Sequence, residues 1–165
     1  MGNAYIGIDN GVTGSIGIIM PNRAYFDPTP NKKELSYTKK KQNITRIDVV
    51  ALEEDIGSVC STFKIRVAIE RPLVNPGMFK ATLSAVRALE ATLIVLERLG
   101  AGYEYIDSKE WQKALLPNGV SGTTELKKAS MDIGKRLYPH LSKEIDKQKD
   151  ADGLLIAHYL MTKYK

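Results

Sequence analysis

Apolar positions change period several times along the chain, and each change marks an element. The stretch "YIGIDNGVTGSIGII" holds two β-branched runs separated by a turn rich in Gly and Thr. This predicts strands over Tyr5–Asp9 and Ser15–Met20 joined as a tight hairpin. Arg23–Phe26 supplies a third short run ahead of the Pro28 and Pro30 breaks. Ile47, Val50, Ala51, Glu54 and Ser58 then recur at helical spacing, which predicts a helix over Asp48–Phe63. "IRVAIE" is a short strand ended by Pro72. From Met78 to Leu99 the chain is rich in Ala and Leu and almost free of breakers, the signature of a long, largely buried helix. "GYEYID" reads as another strand, and Ser108 as N-cap opens a short helix around "KEWQKAL". Thr123 or Thr124 caps a helix over "ELKKASMDIGKRLY", which Pro139 stops, and Asp150–Tyr164 forms the terminal helix.

Antiparallel strands followed by strands with helical crossovers predict an α/β domain. Its mixed sheet is antiparallel over the first strands, parallel after them, and flanked by helices. A chain of 165 residues accommodates one such domain over 1–165. The hydrophobic fraction of 43% and charged fraction of 26% are globular values. No window approaches the roughly 18 consecutive apolar residues of a membrane helix, so no membrane association is expected. Met1 runs directly into a strand pattern without a basic leader. Cys60 stands alone, which excludes an internal disulfide and a cysteine-rich zinc site. A reducing, cytoplasmic setting is expected.

The net charge of +5 is concentrated. Lys32, Lys33, Lys39, Lys40, Lys41 and Arg46 face Glu34 alone between Asn31 and Ile47, so the rest of the chain sums to zero. Such a run is either a solvated basic loop or a phosphate-binding arm, since a local cluster attracts a polyanion with little help from distant charges.

Three acids end or open elements among apolar neighbours: Asp9 after the first strand, Glu70 after "RVAIE", and Asp152 before "GLLIAHYL". Half-buried carboxylates lose hydration unless something positive or hydrogen-bonding replaces it. If the strands bring Asp9 and Glu70 to one edge and the last helix crosses it, the three converge. Hard oxygen ligands of this kind suit Mg²⁺ or Mn²⁺, and paired ions recur in phosphodiester hydrolysis. Taken singly, each acid has a simpler reading: Asp9 capping the turn, Glu70 pairing with Arg71 or Arg66, Asp152 favoured by a helix dipole.

Together, "YIGIDNGVTGSIGII", "VAIERP", "YIDSKEWQKALLP", "ELKKASMDIGKRLYP" and "DADGLLIAHYL" resemble, in order and spacing, the RuvC-like Holliday-junction resolvases of the ribonuclease H-like superfamily, particularly compact phage-type members. The resemblance covers most of the chain outside 21–60. It implies a ribonuclease H-like fold and a Mg²⁺-dependent endodeoxyribonuclease, with two ions per site and Mn²⁺ as substitute. Asp9, Glu70 and Asp152 match its metal-binding acids. Where many relatives carry an Asp or His one helical turn before the last aspartate, this chain has Lys149, with Asp150 the nearest acid and Asp146 a more distant one. On a continuous helix Asp150 and Asp152 diverge by about 200°, so Asp150 joins the site only from the loop before the first turn or at the N-cap. Asp150 and Lys149 are therefore further candidates, the lysine as a contact to the scissile phosphate.

The resemblance also implies a homodimer acting on four-way and other branched DNA. Met78 and Phe79 match the region that wedges against bases at the junction centre, although Phe79 in the core, anchoring its helix, is an equal alternative. Lys32, Lys33, Lys39, Lys40, Lys41, Arg46, Arg71, Lys80, Lys109 and Lys113 are the candidate phosphate contacts. Trp111 reads as a packing residue and His158 as a helix-face residue. Two other functions compete: a non-catalytic branched-DNA-binding protein of the same fold, and half of an actin-like phosphotransferase, whose first strand and turn are similar but which needs a second domain.

Overall fold

Strand periodicity splits β1 (Asn3–Ile8) between two faces: Ala4, Ile6 and Ile8 point to one side, Tyr5 and Gly7 to the other. The computed structural model describes residues 2–165. β2 (Ser15–Met20) pairs antiparallel with β1, and β3 (Arg23–Pro28) pairs antiparallel with β2. On the other side β6 (Lys64–Glu70) lies parallel to β1 and β7 (Tyr103–Ile106) parallel to β6, giving the order β3-β2-β1-β6-β7. The expected mixed sheet is therefore present.

Parallel neighbours need crossovers, and the helices α1 (Val49–Cys60) and α2 (Phe79–Arg98) lie in the two connections. They cover the Ala4–Ile6–Ile8 face with Leu52, Ile56, Val59, Ala88, Val95 and Leu96. The opposite face packs against α3 (Ser108–Leu115), α4 (Thr123–Leu137), α5 (Ser142–Gln148) and α6 (Asp152–Lys163).

α6 lies against β1 and β2 because two glycines let it. Gly7 and Gly17 are cross-strand partners. A Cβ on Gly7 would come within 2.2 Å of the Ala157 nitrogen, and one on Gly17 within 2.3 Å of the Leu154 Cα. Gly153 completes the seat: its Cβ would meet the Ser15 carbonyl at 2.5 Å, and its N–H donates to Ser15 Oγ at 3.1 Å. This close approach fixes the start of α6 beside the end of β1.

Several local expectations are corrected. The basic stretch is a two-stranded antiparallel ribbon, β4 (Asn31–Leu35) and β5 (Asn43–Ile47), with the tip closed by Ser36 N–H donating to the Gln42 carbonyl. Its many basic and polar residues, with Ile44 and Ile47 at odd spacing, give no clear period-2 signal. β3 continues to Pro28, which an edge strand tolerates. α2 is less buried than its composition predicts: Ala88, Thr92, Val95 and Leu96 are buried, while Phe79, Leu83, Val86 and Ile94 are exposed. One stripe, with flanking Leu89, Ala91 and Leu93, suffices to pack on α1 and the sheet, and the opposite side of the helix is exposed. Asp107, not Ser108, is the N-cap of α3, and Gly122 at φ 90° occupies that position in α4 rather than Thr123 or Thr124. The short α5 was not anticipated. The terminal helix begins at Asp152, not Asp150. Among the described residues no helix is long and apolar enough to cross a membrane.

Candidate metal centre

The parallel register pairs Ile8 with Ile69, so one further step sets Asp9 alongside Glu70 at the carboxyl ends of adjacent strands. Asp9 sits in the turn to β2, its N–H donating to the Ser15 carbonyl at 2.9 Å. That turn is held from three directions. Asn10 Nδ2 donates to the Ala85 carbonyl at 3.1 Å, Asn31 Nδ2 to that of Val12 at 3.0 Å, and Gln148 Nε2 to that of Thr13 at 3.1 Å.

α5 ends at Gln148, and Lys149 adopts a left-handed conformation at φ 69°. A non-glycine residue occupies this region at a cost, and here it reverses the chain so that Asp150 lies ahead of α6 rather than within it. Asp150 is 3% exposed. Its Oδ1 accepts the Asp152 N–H at 3.4 Å, and its Oδ2 lies 3.6 Å from Lys127 Nζ. Asp152 opens α6, and its Oδ1 accepts from Ser130 Oγ at 2.5 Å. The same Ser130 oxygen accepts the Ala151 N–H at 3.0 Å, which ties α4 to the start of α6.

Asp9, Asp150 and Asp152 thus form a group in which one carboxylate oxygen from each lies within 4.8 Å of the others. Three hard oxygen donors at that separation can hold a metal ion. Their protonation equilibria point the same way. Burial raises Asp9 well above the ordinary carboxylate range, and the charges of Asp152, Glu70 and Asp150 raise it further. Burial pushes Asp152 up to about 6 against the Ser130 hydrogen bond, and raises Asp150 as well. Lys127 opposes all three rises, and one exposed ammonium does not balance the group. A bound cation would restore the ionised forms.

Glu70 is half-buried at the end of β6, close enough to feel Asp152 and Asp150 but outside the three-aspartate group. Trp111 Nε1–H donates to its Oε2 at 2.7 Å. The simpler pairing of Glu70 with an arginine does not occur: Arg71 Nε meets Asp107 Oδ1 at 3.0 Å, and Arg66 stacks on Tyr164. Trp111 packs as expected, and it also donates this hydrogen bond.

Other predicted residues fall outside the centre. Lys149 is exposed, and among the described residues its side chain has no ion pair. Asp146 pairs with Lys135 at 2.5 Å and lies outside the group formed by Asp9, Asp150 and Asp152. Phe79 is 71% and Met78 55% exposed, which removes the core-anchor reading of Phe79. Glu34 pairs with Lys32 at 3.1 Å and Arg46 at 2.6 Å, leaving Lys33 and the tip residues Lys39, Lys40 and Lys41 without carboxylate partners among the described residues. Lys80, Lys109 and Lys113 are exposed. Sequence reasoning missed Lys127 and Ser130. Their i, i+3 spacing places them on one face of α4, but nothing local says that this face meets Asp150 and Asp152.

No protein-family model and no curated protein sequence matches the chain. Solved structures do, two of RuvC among them. Thermus thermophilus RuvC in complex with a Holliday junction substrate is 18% identical, with 97% of this chain and 96% of that chain covered and a TM-score of 0.54. A second Thermus thermophilus RuvC structure is 16% identical over the same shares of both chains, with a TM-score of 0.50. The chain, with its five-stranded mixed sheet flanked by helices, therefore has the ribonuclease H-like fold of RuvC.

Proposed function

We propose that this protein is a divalent-metal-dependent endodeoxyribonuclease that nicks four-way junctions and related branched DNA. The observation that carries the reading is the convergence of Asp9, Asp150 and Asp152, with Glu70 beside them, on a fold shared with a protein solved on a Holliday junction. Asp9, Glu70, Asp150 and Asp152 would hold Mg²⁺, with Mn²⁺ as substitute, and two ions per site suit four carboxylates. When bound, such ions supply charge neutralisation at the scissile phosphate and acidify water at neutral pH. The chain's own residues prepare the site. Ser130 orients Asp152, and Lys127 tempers the negative charge around Asp150. Lys149, exposed at the rim, contacts the phosphate backbone.

Exposed residues fit the DNA part of this reading. Lys33 and Lys39 to Lys41 project from the ribbon as phosphate contacts, with Lys32 and Arg46 partly neutralised by Glu34 and Arg71 by Asp107, and Lys80, Lys109 and Lys113 add charge elsewhere. Phe79 and Met78 are exposed at the start of α2, where an apolar wedge can enter a stack already broken by branching. Phe79, Leu83, Val86 and Ile94 make an apolar stripe along α2. A second copy covering part of that stripe gives the homodimer that paired nicking requires.

The test uses end-labelled immobile four-way junctions, linear duplex and a DNA/RNA hybrid with Mg²⁺ or Mn²⁺, and Asp9→Asn as control. Paired symmetric nicks confined to the junction and absent from the variant are expected. Tight junction binding without cleavage would replace this reading with the non-catalytic binding protein. Sedimentation of the free protein checks the dimer.

A further inference from the structure

Trp111 is the one tryptophan of the chain, 1% exposed on α3. Its ring has apolar neighbours in the cluster that includes Ala68, Ile106 and Leu160, and its buried N–H needs an acceptor. The acceptor it takes is a carboxylate at the edge of the candidate site: Nε1–H donates to Glu70 Oε2 at 2.7 Å, joining residues 41 apart in sequence. An indole nitrogen only donates, so the contact favours the ionised carboxylate and engages one of its two oxygens.

The donor is fixed from several sides. The end of β7 and the start of α3 are tied to the residue after Glu70, since Arg71 N–H donates to the Ile106 carbonyl at 2.9 Å and Arg71 Nε to Asp107 Oδ1 at 3.0 Å. Tyr159 Oη donates to Glu110 Oε1 at 2.7 Å, linking α3 to α6, the helix that carries Asp152. Glu70, in contrast, accepts from no other side chain among the described residues and lies outside the group formed by the three aspartates. Its placement thus depends on Trp111.

We propose that Trp111 is a positioning residue of the metal centre: its indole N–H holds Glu70 through Oε2 and leaves Oε1 as the oxygen that meets a divalent cation shared with the aspartates. This rests on the metal-dependent reading above. Phenylalanine at 111 would keep a smaller aromatic ring in the pocket without the donor. Partners that orient a metal ligand typically contribute 10- to 100-fold in metal affinity.

The test is a double-mutant cycle of wild type, Trp111→Phe, Glu70→Gln and the double variant. Mn²⁺ uptake is followed by electron paramagnetic resonance without DNA, and thermal unfolding is followed without metal. Trp111→Phe is expected to weaken Mn²⁺ uptake about tenfold, with no further loss when Glu70 is already Gln. Unaltered uptake in Trp111→Phe overturns the role. So does an equal loss in the Glu70→Gln background, which would mean that the ring acts through packing alone. A wild-type protein that takes up no Mn²⁺ overturns the metal-dependent reading itself, and the role of Trp111 with it, so the two failures are distinguishable.

Discussion

Replacing Gly17 by alanine tests whether the close seating of α6 builds the site. The added methyl would stand 2.3 Å from the Leu154 Cα and 2.6 Å from the Gly153 carbonyl oxygen. Both are backbone atoms, so no side-chain rotamer can relieve the contact and α6 must lift from β2. Overpacking of this kind costs roughly 1–3 kcal/mol and occasionally more, and a backbone clash belongs at the upper end. About 3 kcal/mol is a large part of the roughly 5–15 kcal/mol that stabilises a domain. For a chain of this length it corresponds to a fall of about 6–12 °C in melting temperature. Thermal unfolding by circular dichroism measures it, with Gly102→Ala as control because nothing lies within 4 Å of a Cβ there. The control should melt within about 2 °C of wild type. The lift also carries Asp152 away from Asp9, so the variant should lose Mn²⁺ affinity at temperatures where it remains folded. A Gly17→Ala protein that melts with wild type and binds Mn²⁺ normally would refute the claim that this contact positions the centre.

The metal-free protein should lose stability as pH rises from about 4 to 8: Glu70 and Asp152, pushed up to about 7 and about 6, bind protons in the folded state that the unfolded chain has already released. Glu70 alone accounts for roughly 3 kcal/mol of that loss, Mg²⁺ should reverse it, and denaturant melts at pH 5 and pH 8 with and without metal would show both. Asp9→Asn removes a carboxylate repelled by three others, and should raise the metal-free melting temperature at pH 8 while abolishing cleavage. Ser130→Ala strands the buried Ala151 N–H and should cost about 1–3 kcal/mol in urea unfolding. Joint replacement of Lys39, Lys40 and Lys41 by alanine should flatten the slope of log K against log salt for junction binding by about 2–3. Phe79→Ala should leave stability within about 0.5 kcal/mol of wild type, because the ring is exposed, yet reduce the fluorescence of 2-aminopurine at the junction centre.

Strand periodicity alone determined the first two strands of the sheet and β6, because alternation and β-branching are local properties that the turn residues punctuate clearly. The acids at element ends were legible too: an unpartnered carboxylate among apolar neighbours stands out in any window, and Asp9, Glu70 and Asp152 each did. What lay beyond reach was whatever depends on how distant segments meet. The ribbon of β4 and β5 was masked by lysines on its exposed positions. The cap of α4 went to a glycine at positive φ, since backbone geometry there outweighed the capping preference of threonine. Asp150 entered the site because a left-handed residue, Lys149, ends α5 one step before it, a choice no propensity favours and tertiary packing imposes. Lys127, Ser130 and Trp111 acquired their roles by facing residues 22 to 41 positions away. Local chemistry is written residue by residue, but a cluster of carboxylates is a coincidence in space, and the seating of α6 on Gly7 and Gly17 brings its parts together.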